Sequence, residues 1–311
     1  MSDIVSNVIP IVLLICFGYF IRYKDMLTED VMKGIKKIVI DISLPAILFI
    51  TFVNMEIRKE HFVIMIATVF LLFAFYFVGE LINKVKCIHN PVIPFITSGF
   101  CFGLLGIPLF GTVFGTENLG KISIFGVGHE VFIWFIYFNL LKMKFTKEKL
   151  SYKVILEFFT SPLLLSIILG VAFNLFGFSI YFKENALLRG VFQTIKSISN
   201  LGTPLILMII GYDLKLNKKY VKKSFIFVAI RLTVILVVGY LFKFLVIDKI
   251  ITPDKLFNYA YFTFLILPIP FSLPIFVSQY GTKEDTELVN NAVVLSTVVC
   301  IVVFIGFVMM I

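Results

Sequence analysis

The chain has 311 residues, 59% of them hydrophobic and 15% charged, with 37 Phe and a mean hydropathy of +1.02. A soluble domain averages about 45–50% apolar and about 25% charged residues, so this composition argues against a soluble enzyme, a nucleic-acid binder, a disordered chain or a secreted disulfide scaffold. Lys and Arg exceed Asp and Glu by 28 to 19, a net +9, the surplus that membrane proteins keep in cytoplasmic loops rather than a nucleic-acid footprint.

Met1-Ser2-Asp3 puts an acid where a cleavable signal carries Lys or Arg, and no small-residue cleavage site follows, so the apolar run from Ile4 is expected to remain as a first span. A helix needs about 20 apolar residues to cross the hydrocarbon core. Ten stretches meet that demand: 4–23, 35–53, 62–83, 92–114, 122–141, 158–178, 191–211, 224–246, 257–280 and 287–310. They are too long and too uniformly apolar for barrel strands. The expected fold is an all-α polytopic membrane protein with ten transmembrane helices. Connections after odd spans carry 18 Lys and Arg and those after even spans nine, with Lys196 taken among the latter and Arg231 inside span eight. The richer side is cytoplasmic, which places both termini outside and the basic stretch near 142–153 inside. That stretch divides the chain into a first five-helix half (1–141), a cytoplasmic linker (142–157) and a second half (158–311). Cys16, Cys87, Cys101 and Cys300 form no CxxC pair and predict neither a metal site nor a disulfide framework.

The halves resemble each other. Span four reads Ile107-Pro108-Leu109-Phe110, then Phe114-Gly115-Thr116; span nine reads Leu273-Pro274-Ile275-Phe276, then Tyr280-Gly281-Thr282. The offset is 166 throughout. Leu44-Pro45-Ala46-Ile47-Leu48 in span two is echoed by Thr203-Pro204-Leu205-Ile206-Leu207 in span seven, and Pro10 with Gly18 in span one by Pro162 with Gly170 in span six. Five spans per unit orient the halves oppositely, so a 5+5 inverted repeat is expected, a construction of secondary transporters. Span four adds Gly99, Gly103, Gly106 and Gly111, and span nine adds Pro268 and Pro270. Helix-interior prolines remove a donor and clash with the preceding turn. Both helices are therefore expected to break at midmembrane and offer unpaired backbone groups to a small polar solute.

With ten spans, Leu-Pro-Ala-Ile-Leu-Phe at 44–49, Gly-Ile-Pro-Leu at 106–109 and Gln-Tyr-Gly at 279–281, the whole chain resembles the auxin efflux carrier family, which includes plant auxin exporters and bacterial permeases for malate and other organic acids. The resemblance implies a fold similar to bile-acid symporters and sodium–proton antiporters, in which spans four and nine cross at their prolines. It also implies a dimerising scaffold of spans one, two, six and seven, and a moving transport unit of spans three to five and eight to ten. Pro108 resembles the crossover proline of span four; its partner is Pro274 by the repeat or Pro268 by the family spacing. Relatives often carry Asn where this chain has Cys101, and Asn just before the span-nine break, where it has Ser272 and Leu273. The substrate-contacting set expected on this basis is Cys101, Gly106, Pro108, Ser272, Pro274, Asn290 and Asn291.

Charges inside spans are costly, about 2.5–3.5 kcal/mol at a helix centre. Glu130 is the first candidate for a proton- or substrate-linked carboxylate, with His129 beside it but about 100° round the helix. Arg231 is expected to pair with Glu130 or Glu80, or to attract an organic anion. Glu80 and Lys84, four apart, are expected to form a pair on span three, and resemble an acid–Lys pair supporting the substrate site in auxin carriers. Asp41, in a scaffold span, is expected to serve capping or a scaffold pairing rather than transport. Gly126-Val127-Gly128 reads as helix-packing glycine, since no strand precedes it as in a nucleotide fingerprint.

The function expected is a secondary active transporter of small organic anions such as carboxylates, in the cell (plasma or inner) membrane. It works by elevator-type alternating access, as a homodimer through the scaffold spans, without a cofactor, catalytic residues, a metal or nucleic acid, and with proton or sodium coupling left open. The alternatives are a sodium-coupled symporter of the bile-acid type, a membrane sensor or receptor, and an intramembrane enzyme. The chain offers no paired catalytic acids for the last of these.

Overall fold

The computed structural model describes residues 2–54, 59–86, 88–146, 162–178, 185–214 and 216–311. Most of the 142–157 linker, the first residues of span six and Cys87 lie outside these. All regular structure among the described residues is helical. Among the described residues, six helices are long and apolar enough to cross a membrane: Glu29–Asn54, Lys59–Asn83, Thr116–Thr146, Ala186–Asp213, Val221–Ile250 and Lys283–Met310. They coincide with spans two, three, five, seven, eight and ten. Spans one and six fall on the helices Ser2–Tyr23 and Pro162–Leu175, and spans four and nine are interrupted.

Apolar side chains face outward as well as inward. Phe70 and Phe77, seven apart on one face of Lys59–Asn83, are each 63% exposed, and Val237 and Phe244 repeat this on Val221–Ile250. An aqueous surface rarely carries such continuous apolar stripes; a multi-pass membrane protein requires them.

The chain forms two compact units. One comprises Met1–Ile57, Gly103–Ser123 and Leu156–Leu214; the other comprises Arg58–Phe102, Ile124–Ile155 and Lys215–Ile311. The first holds α1 (Ser2–Tyr23), α2 (Glu29–Ile38) running through a π-helical turn into α3 (Leu44–Asn54), α6 (Ile107–Phe114), α9 (Pro162–Leu175) and α10 (Ala186–Asp213). Gly103–Ser123, expected with spans three to five, thus groups with spans one, two, six and seven. A side chain on Gly18 of α1 would meet the Met208 backbone, and one on Gly211 of α10 the Ile15 backbone. Their absence lets the two helices approach to backbone contact, as small residues do in lipid. Lys36–Asp213 at 2.7 Å and Arg22 Nη1 donating to the Tyr212 carbonyl at 2.8 Å tie the polar ends of the same unit.

The second unit holds α4 (Lys59–Asn83), α5 (Ile93–Ser98), α7 (Leu119–Phe132, from Ile124 on), α8 (Phe138–Thr146), α11 (Val221–Phe242), α12 (Lys255–Ile266), α13 (Leu273–Tyr280) and α14 (Lys283–Met310). Gly126 and Gly128 do act as packing glycines, against the Phe102 ring and the Met65 carbonyl respectively.

Candidate functional site

The interruption of span four begins where α5 ends at Ser98. Gly99 is extended (φ −100°, ψ 149°), and the chain re-enters helix through a π-helical segment, Phe102–Gly106, that leads into α6. Span nine stops at Ile266, Leu267 turns to ψ 144°, and helix resumes at Leu273. The α-helical segments α6 and α13 are eight residues each, and both keep the 166-residue offset of the sequence match. Their capping glycines are Gly115 and Gly281. The repeated Pro…aromatic-Gly-Thr motif therefore encodes a short helix and its stop. Thr282 then starts α14 with a capping box to Asp285.

This corrects the role given to the prolines. Pro274 occupies the first turn of α13, where an N–H has no helical partner anyway and a fixed φ suits the helix, whereas Pro108 follows the π-helical segment directly, inside the continuous helical stretch Phe102–Phe114. The breaks lie earlier, at 99–101 and 267–272, and Pro268 and Pro270 are the prolines inside one. It is Pro268, not Pro274, that meets span four: its carbonyl accepts from the Cys101 N–H at 2.8 Å.

The backbone groups freed by the breaks were expected to await a solute. Those that can be followed are instead held by the protein, as buried polar groups require. The Phe100 N–H donates to His129 Nε2 at 3.1 Å, and the Ile269 N–H to Ser296 Oγ at 3.2 Å. The Ile96 and Leu267 carbonyls both accept from the Arg231 guanidinium. Tyr137 Oη donates to the Phe95 carbonyl at 2.8 Å. A backbone N–H only donates, so His129 Nε2 carries a lone pair. Nδ1 then holds the hydrogen, 3.3 Å from Glu130 Oε1. The two residues make contact despite their angular separation, with the His129 side chain 3% and the Glu130 side chain 14% exposed.

Two expected pairings are replaced. Glu80 is held by Lys144 Nζ at 2.6 and 2.9 Å and by Tyr76 Oη at 2.9 Å, while Lys84 is exposed. The ammonium that reaches Glu80 comes from α8, 64 residues on, which helical spacing does not reveal. Arg231 pairs with neither Glu80 nor Glu130 but with carbonyls. Asp41 is exposed on its π-helical turn.

Among the remaining expected contacts, Cys101 is buried at the junction of the breaks, Pro274 is buried, and Ser272 is half-buried as the N-cap of α13, making no side-chain cap bond. Gly106 and Pro108 are buried in the first unit. Asn290 is exposed. Asn291 is 1% exposed and clamps one loop residue from both sides, accepting from the Asn217 N–H at 2.8 Å and donating to its carbonyl at 2.6 Å. It is a loop anchor for Asn217 rather than part of the junction.

One feature escaped sequence reasoning. Within the first unit, a cavity of about 610 Å³ lies along the second half of span four, lined by Ile107, Gly111 and Thr112. Thr51 and Asn54 of α3, and Lys196, Ser199, Asn200 and Thr203 of α10, complete its polar wall, with Glu117 at the α6–α7 turn. Lys196 is the lining cation. The signal was present: Lys196 lies inside the 191–211 apolar run, but a loop-charge count absorbs it.

A multi-pass helical protein with two interrupted helices joined at their breaks is built as a membrane transporter. The model of the family described as membrane transport protein matches residues 3–308, and the chain belongs to this family, the auxin efflux carriers. It is also similar to an uncharacterized transporter of Methanocaldococcus jannaschii, 25% identical over 214 residues, 67% of this chain and 68% of the relative. Transport, not an enzymatic reaction, is the activity to which these likenesses point.

Proposed function

We propose that the protein is a secondary active transporter of small organic anions such as carboxylates, malate among them. The observation that supports this reading best is the cavity on the second half of the broken span four, where one lysine, Lys196, stands among amides and hydroxyls. A carboxylate asks for one cation and several donors to fix its orientation, and Asn54, Asn200, Ser199 and Thr203 supply the donors, while the Thr51 hydroxyl donates to the Ile47 carbonyl. In this reading the first unit, with spans one, two, six and seven, is the scaffold and the dimer contact. The second unit moves by an elevator-type step, and the solute sits in the cavity on the second half of span four. Glu130 with His129 is the pair that links a proton to the cycle. The protein resides in the cell membrane with both termini outside.

Binding is tested by thermal unfolding of purified protein against a panel of mono- and dicarboxylates, since a ligand that binds only the folded state raises the midpoint. At least one carboxylate is expected to stabilise the wild type, to lose that effect in Lys196→Gln and to keep most of it in Lys196→Arg. Full stabilisation of Lys196→Gln removes the lysine from recognition. A wild type blind to every carboxylate contradicts the substrate class.

A further inference from the structure

We infer that the Arg231 guanidinium is a built-in cation filling the carbonyl site where the two broken helices meet, so that the junction requires no coupling sodium ion. The inference deepens the transporter reading above and rests on it. In transporters with discontinuous helices, half-helix C-terminal ends and unwound carbonyls are the groups that hold Na⁺. This chain has such a set. Ile96 lies in the last turn of α5, and its carbonyl lost its helical donor when the Phe100 N–H turned to His129. Leu267 is the C-cap of α12, with no helix beyond it to supply a donor.

Both carbonyls are occupied by one side chain of α11. Arg231 Nη1 donates to the Ile96 carbonyl, and Nη2 to the Leu267 carbonyl at 2.9 Å. The guanidinium carbon stands 4.6 Å from the Phe100 ring centroid, within cation–π range. Arg231 is 1% exposed, and the ion pairs among the described residues do not include it. Its charge is balanced instead by carbonyl dipoles and by the negative end of α12. The fork geometry of a guanidinium suits two acceptors on separate segments, which a point charge joins less well. A sodium ion on these carbonyls would have to displace a tethered cation already making two charge-assisted hydrogen bonds. One side chain thus holds the two half-helix ends in register and supplies the positive charge that a coupling ion brings elsewhere. Arg231 is a positioning residue, acting through the carbonyls it holds.

The experiment follows thermal unfolding of the full chain in detergent, at one ionic strength, as sodium replaces choline or potassium. Wild-type midpoints are expected to superimpose; a sodium-specific, saturable rise overturns the inference. Arg231→Met leaves two buried carbonyls without a donor. It is expected to lower the midpoint, with part of the loss restored by sodium or methylguanidinium but not by choline. Arg231→Lys is expected to fall between the two and to remain blind to sodium. An Arg231→Met protein as stable as wild type overturns the staple. If that variant does not fold, the wild-type titration and Arg231→Lys still decide. Failure of the underlying reading is distinguishable: it shows as no carboxylate binding or uptake by wild type, with the cation titrations unaffected.

Discussion

Gly99→Ala should abolish transport, although it adds only a methyl group. At Gly99 the Cβ would stand 2.8 Å from Pro270 Cγ and 2.8 Å from Tyr137 Oη. Neither neighbour yields easily: one is a ring locked into the span-nine break, and the other is hydrogen-bonded to the Phe95 carbonyl. The backbone at Gly99 is extended and tolerates any residue, so the effect is purely one of space. Overpacking of this kind costs about 1–3 kcal/mol, and here it pushes the two breaks apart, stretching the Cys101–Pro268 hydrogen bond. A lowered thermal midpoint together with lost uptake is the expected pair of results. Gly34→Ala, with nothing within 4 Å of the new methyl, is the matched control and should be neutral or slightly stabilising. Wild-type uptake by the Gly99 variant would mean that the junction is not used in the cycle.

His129→Leu should be nearly as damaging, and His129→Gln much less so. His129 Nε2 is the acceptor for the Phe100 N–H, in a site walled by Phe100, Phe102 and Phe264. Leucine fills the volume but leaves a buried donor unsatisfied, at a cost of about 1–3 kcal/mol. Glutamine keeps an oxygen able to accept. Midpoints and uptake measured on both variants separate the hydrogen bond from packing; equal behaviour of the two assigns His129 a packing role.

The six long helices, the halting of spans four and nine and the 166-residue echo between α6 and α13 were legible because they are local: hydropathy, proline, glycine and short motifs act over a turn or two. What escaped was long-range. Nothing in the spacing of Arg231 indicates Ile96 and Leu267 as its partners, 135 and 36 residues away, or Lys144 as the partner of Glu80 in place of Lys84. The prolines misled in an instructive way. The repeat drew attention to Pro108 and Pro274 as helix breakers, but Pro274, two residues into α13, is a helix starter, and Pro108 lies within the helical stretch Phe102–Phe114, past the break. The break of span four sits at Gly99, where close approach, not a missing donor, sets the geometry. Lys196 was overlooked because the loop-charge count placed it with the connection before span seven, although it lies well inside α10.

The central claim, that a small organic anion is carried across the membrane by this chain, is tested most directly by counterflow in proteoliposomes. Vesicles loaded with an unlabelled dicarboxylate and diluted into a trace of the labelled compound should accumulate label transiently, in wild type and in Lys196→Arg but not in Lys196→Gln or Gly99→Ala. The same overshoot is expected with sodium replaced throughout by choline. No overshoot for any carboxylate in wild type, with the protein folded and inserted, would contradict the account.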